Sequence, residues 1–219
     1  MQSAIGRQLN DLPFEKYSAL AVAIGTVILD IICIIQRASP SLRLVLALTA
    51  FALIVYLNNG DLKSIGLQSR PIQGWSPWVR TSIKIGIIVA ICIIVGWGTW
   101  CLTGRQIPFN IIQPSHFKFR FFHSCIIAPV MEETIYRVVV CVSLVSVLGC
   151  WKTIAVNGVL FGLLHVLYGN PSPENLLGGF FLAWVYLKSE TILLPLILHS
   201  LGNFIVLVGN ITAWYILME

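Results

Sequence analysis

Charge is scarce in this chain: 14 Lys and Arg and 9 Asp and Glu among 219 residues, 11% in all. A soluble domain carries about 25%, so a soluble globular fold is excluded. No CxxC spacing occurs. The six cysteines (33, 92, 101, 125, 141 and 150) lie mostly within apolar stretches and read as small buried hydrophobes, not as a disulfide framework. No HExxH is present, which removes the commonest zinc-protease pattern. There is no internal repeat and no low-complexity tract. A net charge of +5 would suggest nucleic acid for a soluble protein. Here the basic residues stand in loops beside apolar runs, so lipid headgroups and topology account for them and nucleic acid is not expected as a partner.

What the chain has is apolar length. Hydrophobic residues make up 57% and the mean hydropathy is +0.86. The expectation is an all-α, polytopic transmembrane helix bundle, one integral membrane domain over 1–219. The runs predict about seven spans: Tyr17–Gln36, Leu44–Leu57, Ser82–Leu102, Arg120–Leu148, Thr153–Leu167, Leu176–Leu187 and Thr191–Gly209. Ile211–Met218 either extends the last or folds back as an eighth piece. Asn58–Arg80, with Trp75 and Trp78 among Arg and Pro, reads as an interfacial segment, as does Gly104–Lys118 with Arg105, Pro108, Phe109, Pro114 and Phe117. Arg37–Arg43 reads as a short turn. Counting basic residues on alternate sides leans toward a cytosolic N-terminus, eight against five, the five being Arg37, Arg43, Arg105, Lys118 and Arg120.

Against this background the fourth span carries Glu132-Glu133-Thr-Ile-Tyr-Arg137. Charges at mid-membrane cost several kcal/mol or more, so they face the bundle interior and have a task there. Neighbours on a helix point about 100° apart, so the two glutamates cannot share one role. Glu133 and Arg137 are i and i+4, Glu first, the favourable order for an ion pair. Glu132 is left without a local cation and so should hold water, a metal or a distant histidine. Pro129 removes the hydrogen bond to the carbonyl of Cys125 and is expected to open the helix beside Glu132.

Two later spans repeat the pattern. Asn157, Phe161 and His165 are spaced by four and share a helix face, with Gly158 and Gly162 forming a small-xxx-small pair for close helix approach. His199 and Asn203 are again i and i+4, with Pro195 and Gly202 suggesting a bent or tightly packed backbone. His116 and His123 read as interface residues, and Asp30 and Asn157 as satisfied polar groups. A base, two imidazoles and an amide suffice for hydrolysis: a general base for water and donors for an oxyanion. Glu132, His165 and His199 would equally make a His₂Glu zinc site with an open position.

These residues resemble the CPBP family of intramembrane proteases, which includes the CAAX prenyl endopeptidases and bacteriocin-processing enzymes. The family pattern Glu-Glu-x-x-x-Arg, Phe-x-x-x-His, His-x-x-x-Asn reads here as Glu132-Glu133-x-x-x-Arg137, Phe161-x-x-x-His165 and His199-x-x-x-Asn203, within a motif-bearing core of 117–210. Asp61–Leu67 is similar to a segment found upstream in that family. The resemblance implies an endopeptidase acting on a membrane-associated protein or peptide, lipidated or cut near a C-terminal tail. It implies Glu132 as general base, His165 holding the water, His199 and Asn203 at the oxyanion, Glu133 and Arg137 setting helix geometry, and Phe161 lining the cavity. It favours a glutamate-activated water and no metal or other cofactor. Two other classes fit the composition: a non-catalytic scaffold or immunity protein of the same fold, and a transporter or proton relay.

Overall fold

The computed structural model describes residues 4–10, 13–104, 110–171 and 173–218, and among these every regular element is helical. Seven long helical stretches follow one another: α1 (Pro13–Ile35), α2 (Pro40–Leu57), α3 (Trp75–Leu102), α4 (114–148), α5 (Cys150–Leu167), α6 (Pro173–Ser189) and α7 (Leu193–Met218). Local sequence sets their ends. Ser39 caps α2 by accepting from the Leu42 N–H at 3.4 Å, with Pro40 just inside. Gly149, at φ +75°, turns the chain between α4 and α5.

Five of these helices, α1, α2, α3, α5 and α7, are long and apolar enough to cross a membrane. The expected seven is not reached on that measure. α6 has 17 residues, and α4 changes helical register along its length, so that its longest uniform piece has 8. α7 runs unbroken to Met218, so Ile211–Met218 extends it and no eighth piece folds back. α3 starts at Trp75, not near Ser82: the Trp and Arg of the expected interfacial segment are its first turns. Pro114 and Phe117 are likewise helical. Arg105, Pro108 and Phe109 of the second linker lie outside the described residues, as does Ser172.

The polar stretch after α2 is tucked against the bundle. Ile65 is fully buried beside Ile5 and Leu9. Its carbonyl accepts from the Tyr186 hydroxyl at 2.7 Å, and the Gly66 carbonyl from the Ile192 N–H at 2.9 Å. Gly66 has φ +72°, and a Cβ there would stand 2.6 Å from the Tyr186 ring. Only glycine fits. Residues 64–72 thus clamp the α6–α7 turn by backbone hydrogen bonds.

α4 is the central helix, with Ile135, Tyr136, Arg137 and Val138–Val142 all buried. α3 is its opposite: in its most apolar window no residue is buried, which leaves that window to lipid. Cys92 and Cys101 are exposed on it, contrary to the reading of the cysteines as buried; Cys125 and Cys141 are buried as expected. Between helices in lipid the hydrophobic effect gives no preference, so shape decides association. The glycines expected to bring a helix close do so. A Cβ on Gly158 would lie 2.5 Å from the Phe180 ring and one on Gly162 2.6 Å from Leu176, which seats α6 on α5.

Gly158→Ala should therefore destabilise the protein by about 1–3 kcal/mol, the usual effect of overpacking. Gly25→Ala, where a Cβ meets nothing within 4 Å, is the control. Thermal melts in detergent check this; equal midpoints for the two variants would contradict the close crossing.

Candidate active site

α4 owes its shape to two wide turns. Phe121–Ile127 and Thr134–Cys141 are π-helical, flanking an α-helical Ala128–Glu133. In a π turn each N–H reaches the carbonyl five residues back, as Ala128 does to His123. Continued by one residue, that register assigns the N–H missing from Pro129 to Ser124. The Ser124 carbonyl is thus left without a helical donor. It is not left empty: the Asn203 side chain of α7 donates to it at 2.7 Å. One N–H of the Asn203 amide is committed there and the other remains.

The glutamates divide as their spacing suggested. Glu133 pairs with Arg137, Oε2 to Nε 3.0 Å, both fully buried. Its other oxygen, Oε1, accepts from Nδ1 of His199 at 2.8 Å. Arg137 also donates to the Asn157 side-chain oxygen and lies 4.9 Å above the Phe161 ring. Asn157 in turn donates to the Tyr136 carbonyl at 2.7 Å, so it is a satisfied polar residue, but within this network. One ion pair therefore joins α4, α5 and α7.

Glu132 has no such compensation. Among the described residues its ionic contact is with His199 Nε2, 3.8 Å from its Oε2, which is cationic only when the ring is protonated. His199 thus stands between both glutamates, bonded to Glu133 and facing Glu132. His165 Nδ1 lies 2.9 Å from the Phe161 carbonyl, which can only accept. Nδ1 therefore carries a proton, and in the tautomer with Nδ1–H alone Nε2 is left as an acceptor. Phe161 packs both imidazoles, with ring centres 4.6 Å from His165 and 5.7 Å from His199. Pro195 is the third residue of α7, where no helical N–H bond is required, and a Cβ on Gly202 would meet nothing within 4 Å. Neither residue bends or tightens the backbone at His199.

Asp30 is a satisfied polar group, as expected, and stands beside the site with two residues that the motifs do not single out, Arg43 and Tyr136. Asp30, fully buried in α1, holds Arg43 of α2 at 2.7 and 3.1 Å and accepts from the Tyr136 hydroxyl at 2.9 Å. Arg43 is a buried residue of α2, not part of an exposed turn. Tyr136 lies four residues after Glu132, a spacing that could have flagged it. His116 is exposed, as expected of an interface residue, and His123 is half-buried. Among the described residues no three His, Cys, Asp or Glu side chains gather as metal ligands. The Glu132, His165 and His199 zinc set is not assembled here.

A groove of about 380 Å³ runs between α4 and α7 beside these groups, lined by Phe121, Cys125, Ile126, Val130, Leu196, Ser200, Leu201 and Phe204. The buried site so has an apolar flank against which hydrocarbon can lie.

The Ser124 contact makes a double-mutant prediction. Asn203→Ala should strand a carbonyl, at about 1–3 kcal/mol. Pro129→Ala supplies a backbone N–H to that carbonyl, so Asn203→Ala should be milder in that background by about 1 kcal/mol. Unfolding of the four proteins measures the coupling; additive effects would remove Pro129 from this role.

Residues 114–205 match the family model described as Type II CAAX prenyl endopeptidase Rce1-like, a stretch that contains all three motifs. No curated protein and no solved structure matches the chain.

Proposed function

From the match over residues 114–205, which supports the CPBP/CAAX protease family, we propose that this membrane protein is an intramembrane endopeptidase using a glutamate-activated water. The observation that carries the reading is the unequal treatment of two adjacent buried carboxylates. Glu133 is bound by Arg137 and His199, while Glu132 faces His199 Nε2 at 3.8 Å with no guanidinium of its own.

A water between Glu132 and His165 gives one O–H to the carboxylate and the other to the free Nε2 of His165. Glu132 takes the first proton as the water oxygen attacks the peptide carbonyl. The carbonyl oxygen becomes an oxyanion and receives the uncommitted N–H of Asn203 and, from His199, Nε2–H. With Nδ1 already donating to Glu133, His199 has that second N–H as the imidazolium, the form the oxyanion role requires. The proton on Glu132 then passes to the departing amine as the C–N bond breaks, and Glu132 is restored. Low polarity around the site strengthens each of these contacts.

The substrate is a membrane-associated protein or peptide, and the α4–α7 groove, lined by Leu196 and Ser200 close to His199 in sequence, offers a surface for its apolar part. The chemistry calls for no metal or other cofactor. The N-terminus is assigned to the cytosolic side: with Arg43 buried, the basic count on the opposite side loses one of its five residues.

The test is cleavage, by protein purified in detergent, of prenylated and unprenylated C-terminal peptides. Glu132→Gln should leave a folded protein with activity lower by about 10²–10⁴-fold, and a zinc chelator should leave the wild type active. Wild-type cleavage by Glu132→Gln would end the mechanism, and chelator sensitivity would replace it with a metal-dependent one. Glu133→Ala should instead abolish folded protein, since a stranded buried charge costs about 3–5 kcal/mol. Size-exclusion profiles distinguish the two outcomes.

A further inference from the structure

The buried pair of Asp30 and Arg43 lies outside the matched residues and outside all three motifs. Its geometry goes beyond charge neutralisation. Arg43 uses Nε and one terminal nitrogen on the two Asp30 oxygens, a two-pronged contact that fixes the carboxylate plane. The remaining acceptor capacity of Oδ2 goes to the Tyr136 hydroxyl at 2.9 Å. The Arg43 guanidinium also rests 4.9 Å from the centre of the Tyr168 ring at the end of α5. The α1–α2 hairpin thus grips α4 and α5 at one point.

Tyr136 then passes this geometry to the site by two routes. Its ring meets Phe161 edge-on at 5.7 Å, and Phe161 is the ring against which both His165 and His199 pack. Its carbonyl accepts from Asn157, whose oxygen holds Arg137 and, through it, Glu133. Four residues after Glu132, Tyr136 shares its helix face.

We propose that Asp30, Arg43 and Tyr136 are positioning residues, setting through the Tyr136–Phe161 contact the placement of His165 and His199 around Glu132. The inference rests on the reading of Glu132 and the histidines as the catalytic groups. It makes the N-terminal hairpin part of the active site's support and not only a membrane anchor.

Tyr136→Phe deletes one hydroxyl and keeps the ring. Per folded protein, kcat should fall about tenfold with KM unchanged, since small misplacements cost rate more than binding. Carbon-13 labelling of the four histidines gives a second, activity-independent readout. The His165 and His199 ring signals should shift, while those of His116 and His123, on the first part of α4 and outside the Tyr136–Phe161 contact, stay put. Unchanged kcat together with unchanged ring signals overturns the proposal. If the wild type cleaves no better than Glu132→Gln, the protease reading fails and the ring signals alone decide the positioning. Should Tyr136→Phe not fold, Arg43→Lys, which keeps the charge and loses the two-pronged contact, takes the same measurements. Loss of fold in both makes the cluster purely structural and overturns the proposal.

Discussion

The Glu133–Arg137 ion pair is the constraint on which the rest of this structure depends. Neither charge has access to solvent. Taking two ions out of water costs several kcal/mol each, and their attraction repays this only when the remaining donors and acceptors are also engaged. Here that engagement recruits the other helices, though it leaves Arg137 Nη2 without a hydrogen-bond partner among the described residues. The second oxygen of Glu133 takes His199 from α7, and the guanidinium takes Asn157 and the face of Phe161 from α5. Satisfying one ion pair thereby places two of the three motif-bearing helices against the first.

The same logic isolates Glu132. Among the described residues the buried acids Asp30 and Glu133 each hold a full arginine partner, at 2.7 and 3.0 Å. Glu132 has neither, and only His199 faces it, at 3.8 Å. A carboxylate in this setting keeps unused acceptor capacity, which a general base needs. The wide turns of α4 serve the same end. A π turn releases carbonyls from ordinary pairing, and Pro129 ensures that the one at Ser124 is free to hold Asn203. Packing that looks irregular along α4 is what ties an amide of α7 to the α4 backbone eight residues before Glu132.

Local relations were legible in the sequence and relations across the chain were not. Glu133 with Arg137 follows from helical spacing alone, and the Gly158–Gly162 stripe follows from the absence of side chains. Both are within one helix. The partner of Asn203 is 79 positions away and depends on a π register that residue types do not announce. α-Helical spacing alone therefore does not point to the Ser124 carbonyl. In the sequence Arg43 reads as a turn residue because an arginine next to a proline-containing break resembles one. Its burial depends on Asp30 lying opposite in a hairpin. Residues 64–72 were polar enough to read as interfacial, yet a buried Ile65 and backbone bonds to the α6–α7 turn hold them in the bundle. Span count suffered from a related problem: α4 is helical throughout but not uniformly α, and hydropathy does not see register.

The two ion pairs also bear on the competing functions. A proton relay needs ionisable groups that exchange partners along a path through the membrane. Asp30 and Glu133 are instead locked, each by a guanidinium that cannot give up its proton and by a further donor, Tyr136 or His199. A path that began at Glu132 would meet Glu133 already occupied and Asp30 beyond a tyrosine that donates toward it. The arrangement favours groups held still around one free carboxylate. That suits a reaction in which a water, a carbonyl and two donors must meet in fixed geometry, and suits a translocation pathway poorly. The rigidity supplied by the arginines is thus the same property that leaves Glu132 as the carboxylate without a guanidinium partner.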